Sequence, residues 1–163
     1  MTEHTTALAR FNAEIALAKG ADAAFAALQT LVQDVVGAKL FTVMIVDMAK
    51  EESRRAFTSH PVDYPVSGTK PLNYGPWFDL VHKERKYFVA NTIEQIAERL
   101  FDHELINALG CQSIVNMPVF LGDEMLGSVN MLNVEGYFTE ERVQVIRDEL
   151  EIPAKLAMAV ALR

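Results

Sequence analysis

The sequence predicts one α+β domain, with a central antiparallel sheet of about five to six strands and helices from both termini on one face. Apolar residues recur at helical spacing near both ends of the chain, whereas short stretches rich in β-branched and aromatic residues lie between them. These stretches follow one another closely, and strands joined by short connections are most easily antiparallel. Loops and short helices are expected to cover a pocket on the other face.

Length and composition fit a single globular domain that spans residues 1–163. Of the 163 residues, 50% are hydrophobic and 23% are charged, which is enough for a core of ordinary size. The net charge of −7 argues against nucleic acid as a partner, because an acidic surface repels phosphate groups. Residues 1–20 are expected to form an N-terminal helix that serves dimerisation.

Cysteine usage and the first residues indicate a cytoplasmic protein. Cys111 is the only cysteine, so the chain forms no internal disulfide, as is typical of a reducing compartment. The start MTEHTTALAR lacks the cationic and apolar regions of a signal peptide. The apolar run LFTVMIVDM is far shorter than the roughly 20 residues of a membrane-spanning helix, so no membrane partner is expected.

Two helices are predicted at the N-terminus. The segment TTALARFNAEIALAKG starts at Thr5 or Thr6 as its cap and ends at Gly20. The next segment, AAFAALQTLVQDVVG, is capped by Asp22 and ends at Gly37. Its apolar residues share one face, which must therefore pack on another element.

Two strands and a long loop are predicted next. LFTVMIVDM (40–48) is apolar on both faces, which predicts a central strand that is covered on both sides. RRAFTSH (54–60) alternates and is more polar, so it is placed nearer an edge. Residues 61–76 contain four prolines and are predicted to be a loop. Ordered loops of this length are usually functional.

The middle of the chain is predicted to consist of short elements. These are a helix at 77–85, a strand at 86–91, and helices at 92–100 and 102–110. Asp102 is expected to cap the last of these helices and Gly110 to end it.

A hairpin and a helix complete the prediction. Strands at 111–121 and 124–134 are joined by Gly122 and Asp123, a two-residue turn. Thr139 is expected to cap the closing helix. Pro153 either kinks that helix or begins a new segment as its first residue.

The segment LGCQSIVNMPVFLGDEMLGSVNMLNVEGYFTEERV (109–143) resembles GAF domains. The family combines a small residue, an apolar strand ending in proline, a polar turn, a strand containing glycine and a Phe-Thr-x-Glu helix start. The matching residues here are Ser113, Pro118, Gly122, Asp123, Gly127, Phe138, Thr139 and Glu141. FTVMIVD and FAALQTLVQDVVGAKL resemble the first strand of the family and the helix before it. The resemblance spans about residues 22–162 and implies a GAF-like, PAS-related fold.

This resemblance implies a sensory module that binds a small molecule. GAF domains bind cyclic nucleotides, tetrapyrroles, amino acids or iron centres between sheet and loops, and they often dimerise through terminal helices. We therefore expect an unknown small molecule as ligand, with any cofactor unknown, and a homodimer through the terminal helices. The apolar segment AKLAMAVALR also favours the dimer. Since the chain has no room for an output domain, a separate protein is expected to receive the signal.

Candidate ligand-binding residues come from the loop, the short helices and the hairpin. Trp77 either closes over a ligand or covers the edge of the core. Asn116 and Asn130 lie in apolar strands, and buried amides need partners, which are a ligand, each other or the backbone. Tyr64 and Lys70 either reach an anionic ligand or belong to a solvated loop, and the solvated loop is preferred. The full candidate set is Trp77, Phe78, Phe88, Asp102, His103, Cys111, Ser113, Asn116 and Asn130. No metal site is expected, because the histidines lack second ligands at metal spacing.

Cys111 is the one candidate for covalent chemistry. It follows a helix C-terminus, where the dipole disfavours a thiolate, so packing or pocket lining is preferred to catalysis. Free methionine sulfoxide reductases, a branch of the GAF family, use several cysteines to form and resolve a disulfide. With one cysteine, an external thiol would have to resolve a sulfenic acid at Cys111. A non-enzymatic module is therefore preferred; such an enzyme is the alternative, and a protein-interaction module with an empty pocket is the second alternative.

Overall fold

The protein is described by a computed structural model that covers residues 2–163. Its elements are α1 Glu3–Leu17, α2 Ala21–Val35, β1 Leu40–Asp47, β2 Glu52–Thr58, β3 Lys70–Pro71, α3 Pro76–Phe78, a π-helical turn Asp79–Lys83, β4 Phe88–Ala90, α4 Ile93–Ala97, α5 His103–Ala108, β5 Ser113–Leu121, β6 Glu124–Asn133, α6 Glu140–Glu149 and α7 Glu151–Ala161. This confirms the predicted α+β class. Two compact units are present: residues 2–38 with Glu140–Arg163, and Lys39–Thr139.

The first unit contains α1, α2, α6 and α7, and α2 contacts the other three helices. The apolar face of α2 is buried as predicted, and the side chains of Phe25 and Leu28 are fully inaccessible to solvent. Burying one such side chain contributes about 1.5–3 kcal/mol. A hydrogen bond of 2.9 Å between His4 Nδ1 and Glu149 joins α1 to α6.

The predicted helix caps in this unit were wrong by a few residues. Thr2, not Thr5 or Thr6, caps α1, since its Oγ accepts a hydrogen bond from the Thr5 N–H at 3.1 Å. Gly20 precedes α2 as its cap, so Asp22 lies in the first turn, where its charge favours the positive helix end.

Pro153 interrupts neither α6 nor α7. A new helix begins at Glu151, and Pro153 is its third residue rather than its first. The N–H groups of a first turn have no partner within the helix, so a proline is tolerated there.

The second unit contains one antiparallel sheet in the order β3-β2-β1-β6-β5-β4. The central position predicted for residues 40–48 is confirmed, because β1 lies between β2 and β6. Strand β3 falls within the segment predicted to be only a loop. It has two residues, and one of them is a proline, which is confined to edge strands because it cannot donate to the ladder. Such a strand leaves no periodic pattern in the sequence.

Strand register assigns side chains to the two faces of the sheet. Residues directly paired in antiparallel strands point to the same side. Asn130 is paired with Thr42 on one side and with Asn116 on the other, so all three side chains share a face. We call this the cavity face.

Gly110 ends α5 as predicted, and it delays the start of the next strand. Its φ of +82° lies in the left-handed region. Its N–H donates to the Asn107 carbonyl and the Cys111 N–H donates to the Ile106 carbonyl, which together form a Schellman motif. The strand predicted from residue 111 therefore begins at Ser113.

The predicted helix at 77–85 and strand at 86–91 are both shorter in the structure. The helix consists of α3 followed by the π-helical turn Asp79–Lys83, and β4 spans only Phe88–Ala90. In a π-helical turn each carbonyl accepts from the residue five positions on, a change of spacing that apolar periodicity does not reveal.

Candidate functional site

A cavity of about 360 Å³ lies within the sheet unit. One wall is the cavity face of β1, β5 and β6. The other wall comes from the segment before and around α3, which includes Tyr64 and Trp77, and from the segment between α4 and α5, which includes Arg99 and Asp102. The volume lies within the range of pockets that take small molecules.

A chain of polar side chains lies on the cavity face. The Trp77 indole N–H donates to Asn116 Oδ1 at 2.8 Å, and Asn116 Nδ2 donates to Asn130 Oδ1 at 2.8 Å. Ser128 also donates to Asn130 Oδ1, at 3.0 Å, and Asn130 Nδ2 donates to Thr42 Oγ1 at 3.1 Å. We call these five residues the amide cluster; all of them line the cavity. The two asparagines therefore bind each other rather than the backbone.

The hairpin turn and a β-bulge next to it together set the geometry of the amide cluster. Gly122, whose φ is +59°, and Asp123 join β5 to β6. The turn fixes the pairing of the residues next to it, and Leu126 of β6 is then left unpaired between the pairs Phe120–Met125 and Val119–Gly127. This bulge shifts the register by one residue, and a shift of that size moves a side chain to the other face. The observed register places Asn116 opposite Asn130. Among residues 2–163, no buried side-chain nitrogen or oxygen lacks a hydrogen-bond partner.

A second polar group, which we call the Tyr64 cluster, consists of Tyr64, Arg55 and Asp102. The Tyr64 hydroxyl donates to the Asp102 carboxylate, and the Arg55 guanidinium stacks on the Tyr64 ring at 3.7 Å from its centroid. Arg55 also donates to the Pro65 carbonyl at 2.8 Å and lies 3.9 Å from Asp102. Burial, together with the Asp102 charge, raises the pKa of Tyr64 well above its ordinary value.

Asp102 lies at the N-cap position of α5, as predicted from the sequence. It precedes α5, but its side chain makes no capping hydrogen bond. Its carboxylate instead accepts from Tyr64, which is 38 residues away in the sequence. A local pattern cannot reveal this partner.

The structure places the nine candidate residues in two groups. Those that line the cavity are Trp77, Phe78, Asp102, Asn116 and Asn130. Among the described residues that line the cavity, four of the candidates are missing: Phe88, His103, Cys111 and Ser113. Phe88 is buried on the cavity face beside Asn116, and Ser113 donates to the Val134 carbonyl at 2.7 Å. His103 is the half-buried first residue of α5.

Several lining residues were missed by sequence reasoning. Thr42 and Arg55 lie on β1 and β2, where they look like ordinary strand residues until the register is known. Phe101 lines the cavity and is nevertheless 86% exposed. The signal that the sequence offers is a phenylalanine in the connection between the predicted helices 92–100 and 102–110.

Cys111 is buried and is the last residue of the Schellman motif. Burial raises the pKa of its thiol above the ordinary value, and the nearby Lys39 ammonium opposes that shift. A Cβ at position 110 would meet the flexible end of the Lys39 side chain, which would have to move. The environment favours a neutral thiol that fills space.

Metal-ligand clusters and membrane-spanning helices are both absent from residues 2–163. No group of three or more histidine, cysteine, aspartate or glutamate side chains is arranged to hold a metal ion. None of the helices in this part of the chain is long and apolar enough to cross a membrane.

Comparison with solved structures identifies the fold. The chain superposes on the GAF domain of an Acinetobacter phosphoenolpyruvate-protein phosphotransferase with a TM-score of 0.72 at 14% identity, covering 99% of this chain and 95% of that one. A sensor histidine kinase GAF domain from Bacillus halodurans gives 0.70 at 9% identity, with 87% and 95% covered. The phycoerythrobilin-bound GAF domain of a cyanobacterial phytochrome gives 0.70 at 14% identity, with 98% and 95% covered. No family model and no curated protein sequence matches the chain. The predicted GAF fold is confirmed.

Proposed function

We propose that this GAF-fold chain is a sensory or regulatory module that binds a small molecule in the cavity of its sheet unit. The observation that carries the proposal is the convergence of the amide cluster and the Tyr64 cluster on one cavity of about 360 Å³. A pocket with apolar walls and a few placed polar groups is the usual form of a ligand site. One solved domain of the same fold is bilin-bound, and another belongs to a sensor histidine kinase.

Binding without catalysis is favoured over the reductase alternative. A nucleophilic cysteine is activated by a lowered pKa and by access to substrate. Cys111 is buried, its pKa is raised, and the described cavity lining does not include it. These features weigh against a sulfenic acid at this position.

Native mass spectrometry of the protein purified from cells tests the proposal. We expect extra mass on the chain that is lost on denaturation and reduced in a Trp77→Ala variant, because this change removes part of the cavity wall. Leu121→Ala, at an exposed position of the hairpin, serves as the matched control and should retain the mass.

Thermal unfolding with a metabolite library gives a second readout. A ligand at 100 times its Kd stabilises the folded state by about 2.7 kcal/mol, which raises Tm by roughly 5–10 °C for a domain of this size. The proposal would be contradicted by a protein that is purified without a bound molecule and that no compound stabilises. That result would favour a protein-interaction module.

We further propose that the module is a homodimer through its terminal helices. Large apolar side chains are exposed on α1 and α7, which is unusual for a helix that faces only water. Ile152 and Leu156 are 65% and 43% exposed. They lie four residues apart, so they are neighbours on one face of α7. Leu8 and Leu17 give α1 similar exposed positions.

A further inference from the structure

The charge around the cavity is opposite to that of the whole chain. The chain has a net charge of −7. Among the described residues that line the cavity, four are cationic and one, Asp102, is acidic. The cationic residues are Arg54, Arg55, Lys70 and Arg99. Arg54 precedes Arg55 in β2, so its side chain projects from the opposite face of the sheet and only the other three count toward the charge over the cavity. An excess of positive charge around a partly enclosed space attracts anions.

Strand register places two of these cations over the cavity. Arg55 is paired with Met44, and Lys70 is paired with Ser53. Met44 and Ser53 both line the cavity, so the side chains of Arg55 and Lys70 project from the same side of the sheet. Arg99 is on the opposite wall, where it donates to the Pro76 carbonyl at 2.6 Å.

The single carboxylate does not neutralise these cations. Asp102 accepts from the Tyr64 hydroxyl and lies 3.9 Å from Arg55. Within residues 2–163, Lys70 takes part in no ion pair. Positive charge is therefore left for a ligand.

The amide cluster also has hydrogen-bond donors to spare. Asn130 Oδ1 already accepts twice, and Asn116 Oδ1 accepts from Trp77. Each amide nitrogen uses one of its two hydrogens within the cluster. The Thr42 hydroxyl accepts from Asn130, and its own hydrogen has no acceptor among the described residues. A ligand with acceptor atoms would therefore find free hydrogens on this surface.

We propose that the ligand is a small organic oxyanion, a molecule with a carboxylate or phosphate group and an apolar body. The anionic oxygens meet Arg55 and Lys70, and a further acceptor meets the amide cluster. Guanidinium and ammonium groups recognise such oxygens by charge-assisted hydrogen bonds. The apolar body packs against Trp77 and Met44. This inference rests on the proposed function and specifies its ligand class.

Trp77 is the only tryptophan of the chain and lines the cavity, so its fluorescence reports directly on binding. The probes are benzoate with benzamide, succinate with succinamide, and phenyl phosphate with phenol. Each pair keeps the body of the molecule and removes its charge. We expect at least one acid to change the fluorescence saturably and to bind at least tenfold more tightly than its neutral partner. Binding should weaken as salt is raised, because salt screens exposed charges. Comparison of the affinities of benzoate and succinate with that of phenyl phosphate shows which oxyanion is preferred.

Charge-removing variants locate the site. Lys70→Gln and Arg55→Gln should each weaken binding of the acid about tenfold or more, since each removes a charge-assisted contact. Lys70 is exposed on an edge strand, so its variant tests the inference even where Arg55→Gln fails to fold. Lys50→Gln removes the same charge from the exposed β1–β2 turn and should leave the affinity unchanged.

Three results would overturn the inference, and they separate it from the proposed function. Equal binding of the neutral partners would reject the oxyanion while leaving a small-molecule module in place. Equal weakening by Lys50→Gln would show attraction to the whole surface instead of the cavity. Failure of every acid to bind would reject the inference; the proposed function would fail with it only if the purified protein also carries no bound mass.

Discussion

Asn116 and Asn130 each connect separate parts of the structure through one side chain. Each is an amide in a strand that is otherwise apolar, and together they connect two strands of the hairpin. Through Trp77 they reach the segment that covers the cavity, and through Thr42 they reach the neighbouring strand. Inside a protein, such networks are strong when every member is satisfied and costly when one is removed.

Replacing Asn130 tests this network. Asn130→Ala removes the partner of three side chains at once: Asn116, Ser128 and Thr42. We expect the free energy of unfolding to fall by about 1–3 kcal/mol, because buried polar groups lose their partners. Urea denaturation followed by circular dichroism measures it. Asn107→Ala, which removes an exposed amide bound to Gln112, is the control. Equal losses in the two variants would show that the network contributes nothing beyond an ordinary surface contact.

Cys111 illustrates the opposite case, a reactive residue type in an unreactive place. Burial raises the pKa of its thiol, and only the thiolate attacks thiol reagents. At pH 8 we expect the native protein to react with a disulfide reagent at least tenfold more slowly than the urea-unfolded chain. Rates are read from the absorbance of the released thiol. Equal rates would place Cys111 in contact with solvent and revive the reductase alternative.

Among the secondary-structure elements, the cavity depends on a connection between the segment after β2 and the start of α5. Tyr64 is in a proline-rich segment, and Asp102 directly precedes α5. Their hydrogen bond and the stacked Arg55 hold the segment against the helix start. An irregular segment has few backbone hydrogen bonds of its own, so such side-chain contacts keep it ordered.

The raised pKa of Tyr64 gives this connection a pH dependence. The folded state retains the phenolic proton to higher pH than the unfolded chain, which releases it near 10. Stability from Tyr64 is therefore complete below pH 10 and is lost as the pH rises above that value. Tyr64→Phe should cost about 1–2 kcal/mol at pH 7, because Asp102 loses its donor.

The difference between native protein and Tyr64→Phe should shrink as the pH rises above about 10. Chemical denaturation at a series of pH values measures it. Contributions from other groups, such as the exposed Tyr74 bound to Glu51, cancel in the difference. A difference that stays constant up to pH 11 would show that Tyr64 titrates alike in both states.

At the scale of the whole molecule, this chain shares its fold with proteins whose sequences are almost entirely different. The chain matches an Acinetobacter GAF domain over 99% of its length with 14% identity. Patterns of apolar residues, turns and caps are shared more widely than individual residues, because many sequences of similar pattern pack equally well. Ligand choice depends on single side chains, so the proposed ligand class does not follow from this likeness.

The proposed dimer is tested on the whole molecule. Ile152→Glu with Leu156→Glu places two charges on the exposed face of α7 and should convert a dimer to a monomer, since buried unpaired charges are costly. Sedimentation at micromolar concentration gives the mass of the native protein and of the double variant. Leu121→Glu, at an exposed hairpin position, should leave the dimer intact. A native protein that sediments as a monomer would contradict the proposal.

The sequence alone predicts the regular part of the fold because local patterns determine it. The alternating and apolar stretches of β1, β5 and β6 mark strands, and Gly122 with Asp123 marks the turn. Boundaries were less accurate, as at Thr2 and Gly20, because neighbouring polar residues compete for one cap.

Residues that line the cavity were predicted only where they were conspicuous in their own segment. Trp77 stood out as a lone tryptophan after a long loop, and Asn116 and Asn130 as amides among apolar residues. Their mutual hydrogen bonds, the Arg55–Tyr64–Asp102 contacts and the place of Lys70 on a two-residue strand join residues far apart in the sequence. Local pattern determined which segments are helices and strands, and the tertiary structure alone decided which side chains meet at the cavity, because strand register and loop packing set those distances.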